Sequence, residues 1–385
     1  MGTTMHPSSS TTTLLEDAKD IKWIQKPSYS SVQSFSRRVR TLLIMLLLSF
    51  VFLTALVLAL AAPQHKRQVT GPVIGSNFQD PSVVQLADGS WMAYAGVNGN
   101  PAGINVLIAT STDFSTWTVR DGWDALPSLP SWAASPPHVW APDVTQLGNG
   151  NFVLYYSVSM AESPGKHCVA AAIASNPEGP FTPVQTPLFC DLNAGGAIDA
   201  DGFQDPITSR QYVIYKVDGN SVGNGGACAN SVNPIAPTPL VLQEVNPNDG
   251  YSFIGTPLAV LLNDSDDGPN IEAPSLTYDA SSGTYILFYS SQCFTTTPYN
   301  IRYATSKSIT GPYTKQPNSF LQTGSTPAQV YIPGGIDITQ DGKLAVFHGD
   351  LNMGWFQNDG SKRVRAMYAM ALQVNGGNAR VGRLY

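Results

Sequence analysis

The sequence predicts an all-β chain built as a five-bladed β-propeller, preceded by a disordered N-terminal tail and one hydrophobic helix. Three observations carry this. A hairpin turn followed by an alternating aromatic and aliphatic strand recurs five times, at intervals of 61, 60, 73 and 59 residues. The chain holds 34 Gly and 29 Pro with only 12% charged residues, which suits tight turns and disfavours helical bundles. A single apolar run, Leu42 to Ala62, is broken only by Ser49 and Thr54.

Residues 1–40 are polar and Ser/Thr-rich, lack apolar periodicity, and read as disordered. The run at 41–62 is long enough to span a bilayer, and Arg37, Arg38 and Arg40 before it place the N-terminus on the cytosolic side. It reads either as a type II membrane anchor or as the apolar core of a cleaved signal. Ala59-Leu60-Ala61 fits a cleavage site, and Lys66-Arg67 resembles a dibasic propeptide site within a linker at 63–72. Both readings put residues 73–385, the expected propeller, outside the cell.

Five strand signals organise this body. They are WMAYAG (91–96), FVLYYS (152–157), YVIYK (212–216), YILFYS (285–290) and LAVFHG (344–349), each behind a turn of Gly, Asn, Asp or Ser. A second strand unit follows most of them, at 104–117, 169–181, 300–313 and 363–374. A 60-residue period with several strands per copy is the signature of radially arranged sheets, and a β-sandwich has no such period.

Charge narrows the partner. Residues 1–67 carry 8 Lys+Arg and 3 Asp+Glu, a net of +5, so the remaining 13 and 24 leave a body of −11. An acidic body disfavours nucleic acid and anionic membranes as partners and favours a neutral ligand over an acidic one. Cys168, Cys190, Cys228 and Cys293 are an even set compatible with two disulfides in any of three pairings, and no Cys/His spacing suggests zinc. Asn263-Asp264-Ser265 is a glycosylation sequon.

An acidic residue precedes each repeat: Asp80, Asp143, Asp199 with Asp201, Glu272, and Asp337. In a propeller the first strand of each blade lines the axis, so these carboxyls are expected to meet at one mouth of the channel. Crowding raises the pKa of at least one, pairing a proton donor with an ionised base, as glycoside hydrolysis requires.

The blocks FQDPSVV (78–84), VWAPDV (139–144), AIDADGFQD (197–205) and IEAPSL (271–276), with SITGPY (308–313), resemble glycoside hydrolase family 43 over residues 73–385. The resemblance implies a five-bladed propeller and an inverting hydrolase that needs no cofactor for its chemistry. Asp80 then matches the general base, Asp199 an ionised residue that tunes and orients the acid, and Glu272 the general acid. Asp143 matches a substrate-binding residue supporting the site wall, and Trp140 an apolar platform for sugar. His348 matches an axial histidine that helps hold a structural calcium in arabinan-acting relatives. Ala200 stands where members often have Pro, and Ile332-Pro333-Gly334-Gly335 where Gly-His-Gly is common. Asp264, Asp266 and Asp267 form a solvated turn in this reading.

The text around Gln292-Cys293 and Tyr299-Arg302 looks most like arabinan-acting members. The expected substrate is a polysaccharide or oligosaccharide with α-L-arabinofuranosyl linkages, as in arabinan or arabinoxylan. A β-xylosidase is the alternative within the family, and a non-catalytic carbohydrate-binding propeller the alternative outside it. An invertase-type furanosidase would need a different nucleophile block from Gln79-Asp80-Pro81-Ser82. The protein is expected to be an extracellular monomer, touching a membrane only through 41–62 if that segment is retained.

Overall fold

The computed structural model describes residues 71–96, 103–325, 329–351 and 363–385. The expected tail at 1–40, the hydrophobic segment at 41–62 and residues 63–70 of the linker lie outside the described residues. No helix among the described residues is long and apolar enough to cross a membrane.

Five antiparallel sheets follow one another along the chain. Blade 1 holds β1 (Gln79–Gln85), β2 (Trp91–Gly96), β3 (Val106–Ser111) and β4 (Thr118–Val119). Blade 2 holds β5 (Val139–Gln146), β6 (Phe152–Met160), β7 (Ser163–Ala174) and β8 (Thr182–Pro183). Blade 3 holds β9 (Ala197–Gln204), β10 (Gln211–Val217), β11 (Leu240–Val245) and β12 (Phe253–Leu261). Blade 4 holds β13 (Ile271–Asp279), β14 (Thr284–Ser291), β15 (Asn300–Ser306) and β16 (Thr314–Lys315), with β17 (Leu321–Gln322) also paired to β15. Blade 5 holds β18 (Tyr331–Ile338), β19 (Leu344–Asp350), β20 (Arg365–Asn375) and β21 (Asn378–Leu384). The repeated hairpin signals are the turns between the first and second strands of the blades. In the first of them Asp88 Oδ1 accepts from both the backbone and the hydroxyl of Ser90, closing the turn.

Each first strand packs beside the next, and β18 returns to β1, so the sheets close into a ring. Five apolar clusters fill the five spaces between blades. One joins Met92 and Tyr94 of blade 1 to Leu154 and Tyr156 of blade 2. The cluster that seals the ring joins Val83 and Trp91 of blade 1 to Val346 and Met367 of blade 5. The alternating strands predict this, because each sheet must bury both faces against its neighbours. The segment entering the ring also clasps blade 5: Val73 N–H donates to Met367 O at 2.8 Å, and Phe78 N–H to Arg365 O at 2.9 Å.

The innermost strands share a local break. Their ladders slip at residues 80–81, 141–142, 199–200, 273–274 and 335–336. The first residue of each slip is left-handed: Asp80 (φ 48°), Ala141 (41°), Asp199 (56°), Ala273 (48°) and Gly335 (54°). Four of these are not glycine, so the strain must be held by the surroundings. It is held from the preceding blade. Asp199 N–H donates to Ser157 Oγ at 3.0 Å, Ala273 N–H to Asp199 Oδ2 at 3.1 Å, and Gly335 N–H to Ser290 Oγ at 3.0 Å.

Two residues further along lies a second ring, formed by Ser82, Asp143, Asp201, Ser275 and Asp337. Asp143 Oδ2 accepts Gly202 N–H at 2.9 Å, and Asp201 Oδ2 accepts Leu276 N–H at 3.4 Å. Ser275 Oγ accepts Ile338 N–H at 3.1 Å, and Asp337 Oδ2 accepts Val83 N–H at 2.7 Å. Each side chain thus ties its blade to the next. Ser82 is the exception: its hydroxyl has no partner among the described residues, and the matching Val144 N–H is taken by Asp143 itself. The pairing Cys168–Cys190 ties β7 to the segment before β9, and Cys228–Cys293 ties blade 3 to blade 4.

Two serines at matching ring positions make a controlled comparison. Ser275→Ala removes a buried hydroxyl that accepts Ile338 N–H and donates to Asp337 Oδ1, and should cost about 1–3 kcal/mol. Ser82→Ala removes a hydroxyl that bonds nothing and should stay within about 0.5 kcal/mol. Denaturant unfolding of the two variants checks this; equal losses would refute the account of the ring.

Candidate active site

Because each first strand breaks at the same point, its residues divide between two levels of the channel. A cavity of about 40 Å³ opens at one end, lined by Asp80, Asp199, Ala273 and Gly335 at the strand breaks and by Asp143, Asp201 and Asp337 beneath them. That volume admits water rather than a sugar ring. A larger space of about 330 Å³ continues toward the other end between Val83, Thr145, Gln204 and Thr339.

This division corrects one expectation. The acidic residues preceding the repeats do not all meet at the mouth. Asp80 and Asp199 occupy the left-handed positions, and Glu272 sits one residue before its own. Asp143, Asp201 and Asp337 lie two residues after theirs, one level deeper, where they tie blades together. The sequence spacing fails to show this because a strand break shifts which neighbouring residue faces the axis.

Asp80 is surrounded by donors. Arg365 approaches both of its oxygens, at 3.1 and 3.3 Å, while donating through Nε to Gln79 Oε1 at 3.0 Å. Burial alone would raise the Asp80 pKa, but the Arg365 guanidinium and His348 overcome it and hold the carboxyl well below its ordinary range. His348 is fully buried, and its Nδ1 lies 3.4 Å from the Asp80 N–H that donates to it and 3.1 Å from Asp80 Oδ1. A neutral imidazole serves one of these at a time, and burial lowers the His348 pKa, keeping it neutral. Gly335 is required here: a Cβ would sit 2.8 Å from His348 Nδ1 and 3.3 Å from Asp80 Cα.

Glu272 has both oxygens occupied. Lys216 Nζ donates to Oε2 at 3.1 Å, and the Tyr299 hydroxyl to Oε1 at 2.8 Å. Asp199 lies alongside, bonded to the amide of the next residue, Ala273. Burial, then the Glu272 charge, push the Asp199 pKa up to about 8 against the pull of Lys216. Burial on the channel wall thus works against the expected ionised state of Asp199.

Trp140 is half-buried with its ring 3.6 Å from that of His167 in a stacked pair, and the His138 ring is nearly parallel at 6.5 Å. One face of the indole is thus covered by protein. Asp267 departs from the expected solvated turn. It is buried and ion-paired to Arg302 at 3.3 Å and to Lys315, while its carboxylate caps the turn through Asp264 N–H.

Lys216, Tyr299 and Arg365 were not singled out from the sequence. One signal was present: Lys216 and His348 occupy the same place in their repeats, where the other copies have Ala95, Tyr156 and Tyr289. A lysine closing an otherwise apolar strand calls for a buried counter-charge.

Among the described residues, Asp143, Asp201 and Asp337 form a compact group with ligand-capable atoms within 4.8 Å of one another. Their oxygens are already committed to Gly202, Leu276 and Val83 amides, and Asp201 and Asp337 bond to each other. His348 Nε2, like Gln79 Nε2 and Ser82 Oγ, is a buried polar atom near Asp80 without a protein partner among the described residues. In the tautomer that donates to Asp80, this nitrogen offers a lone pair.

The deep ring titrates upward. Burial, then mutual repulsion, raise Asp143 and Asp201 well above the usual range, and burial takes Asp337 to about 6. A carboxyl whose pKa rises on folding lends stability that is complete below its unfolded value of 3.8 and is lost as pH rises through the folded value. Asp201→Asn is neutral at every pH, so its melting temperature should decline less than that of the parent between about pH 5 and 8. Parallel curves from melts across this range would count against the ring's charge.

Residues 69–373 match the sequence family described as Glycosyl hydrolases family 43. The chain is 30% identical over 291 residues to extracellular endo-α-(1→5)-L-arabinanase 1 of Bacillus subtilis, covering 70% of this chain and 79% of that one. It is 25% identical to arabinanase 2 of the same organism, of which it spans 55% of the length. Among solved structures, a thermostable family-43 glycoside hydrolase superposes with a TM-score of 0.63 at 22% identity, covering 82% of this chain and 96% of that one. An endo-arabinase from Bacteroides thetaiotaomicron does so at 0.60 and 18% identity, covering 80% and 99%. These structural likenesses speak for the propeller fold.

Proposed function

The chain belongs to glycosyl hydrolases family 43 and is a glycoside hydrolase, and from that premise we propose that it cleaves α-1,5-linked arabinan outside the cell, with inversion. The observation that carries the mechanism is the pairing of Asp80 with Asp199 on one water-sized cavity, with Glu272 beside Asp199.

Asp80 is the general base. Arg365 and His348 keep it ionised, and the adjoining cavity has room for the water whose proton it takes. Glu272 is the general acid and gives its proton to the glycosidic oxygen as the bond to the anomeric carbon breaks. Asp199 and Glu272 hold a proton as a coupled pair, so its retention belongs to both. The water's oxygen bonds the anomeric carbon from the opposite face, which inverts it. Two carboxyls and water complete the reaction with no cofactor.

Trp140 presents its uncovered face to sugar, and Asp143 braces the wall through the Gly202 amide rather than touching substrate. A calcium at the axis would be held by His348 only through a water on its Nε2, and would add positive charge near Asp80. Arabinan as substrate rests on the activity of the relatives, as does export, with which four cysteines paired in two disulfides agree.

Debranched arabinan should be hydrolysed with initial release of the inverted anomer, read by proton NMR. Asp80→Asn and Glu272→Gln should each lose about 10²–10⁴-fold in kcat. Release of xylose from xylo-oligosaccharides in place of arabinan cleavage would replace the substrate assignment, and a retained anomer would overturn the roles of Asp80 and Glu272. The alkaline limb of kcat/KM should fall near pH 8, where the pair loses its proton, and move to lower pH in Asp199→Asn. An unmoved limb would remove Asp199 from the pair.

A further inference from the structure

Lys216, the penultimate residue of β10, has its side chain almost wholly buried, yet the fold at this level does without a cation in the other blades. The matching residues are Ala95, Tyr156, Tyr289 and His348. Burying an ammonium costs several kcal/mol unless it is compensated. Here the compensation is unequal in kind. Asp218 Oδ1, 3.4 Å away, belongs to the turn that follows β10 in the same blade. Glu272 Oε2, nearer at 3.1 Å, belongs to the next blade. The charges of Glu272 and Asp218 outweigh burial and raise the Lys216 pKa, so it remains a cation.

We propose that Lys216 is a positioning residue for leaving-group departure: it fixes Oε2 of Glu272 and stabilises the negative charge that appears there as the proton is given away. This rests on Glu272 being the general acid. The proton passes from the Glu272 carboxyl to the glycosidic oxygen. The C–O bonding electrons leave with that oxygen, and Glu272 becomes a carboxylate. Lys216 keeps all its protons throughout. Because the carboxylate charge grows during the step, the ammonium binds the transition state more tightly than a substrate complex with neutral Glu272. Asp218 holds the ammonium while Glu272 is uncharged, so the cation is never left unpaired. Tyr299, on the other oxygen, fixes the rotation of the carboxyl.

The role predicts a dependence on leaving group that a purely structural ion pair lacks. The test compares linear α-1,5-arabinohexaose, whose departing sugar needs protonation, with 2,4-dinitrophenyl α-L-arabinotrioside, whose phenolate leaves unaided. Lys216→Met should lower kcat on the hexaose by roughly 10²-fold with KM within about twofold, and on the aryl glycoside by less than about threefold. Lys216→Arg, which keeps the charge, should recover most of the hexaose rate. If Asp218 left unpaired unfolds Lys216→Met, the double variant with Asp218→Asn removes both charges and carries the same prediction. Equal losses on both substrates, or no loss on the hexaose, would overturn the proposal. Glu272→Gln in parallel separates the two claims. If it shows the leaving-group selectivity and the Lys216 variants do not, only the positioning role falls. If it shows none, the assignment of the acid falls and this inference with it.

Discussion

The structure depends on hydrogen bonds between blades at the axis. A propeller sheet is closed by its neighbours, yet its innermost strands must break to admit a channel. In every blade the break carries a left-handed residue, with a second in β18 at Ile332, and at Asp199, Ala273 and Gly335 the N–H of that residue bonds across to another blade. A buried N–H without an acceptor is costly, so the preceding blade supplies one. Ser157, Ser290 and Asp199 do this for the residues that follow them around the ring. Fold closure and site construction are thus the same event: the strand break that seals the ring also turns Asp80 and Asp199 to one cavity.

The same logic explains why carboxylates crowd an acidic domain without dispersing it. Those in the lower ring accept backbone amides and share protons, acting as fasteners. Those in the upper ring differ in environment and therefore in charge. Arg365 pulls the Asp80 pKa down, whereas burial and Glu272 push that of Asp199 up. Two carboxyls of similar intrinsic acidity are thus separated by their neighbours in proton affinity, the kind of separation acid–base catalysis needs.

Much was legible in the sequence. The five hairpins announced themselves because a turn fixes its residues locally and a strand between two buried faces needs alternation of aromatic and branched side chains. WMAYAG, FVLYYS and YILFYS are such strands, and each is the second strand of its blade. The tetrapeptides at 79–82, 140–143 and 272–275 marked the axis because in each of them Pro and a polar residue follow a left-handed position.

The sequence by itself determined the repeat, the number of blades and which short blocks line the axis, since turn chemistry and strand alternation act over a few residues. Tertiary structure decided the level at which each carboxyl lies, the raised proton affinity of Asp199, the partners of Asp80 and Glu272, and the choice among three disulfide pairings. These rest on contacts such as Arg365 with Asp80 and Lys216 with Glu272, which join residues 285 and 56 positions apart. Charge state follows burial and neighbours, and neither exists until the ring has closed.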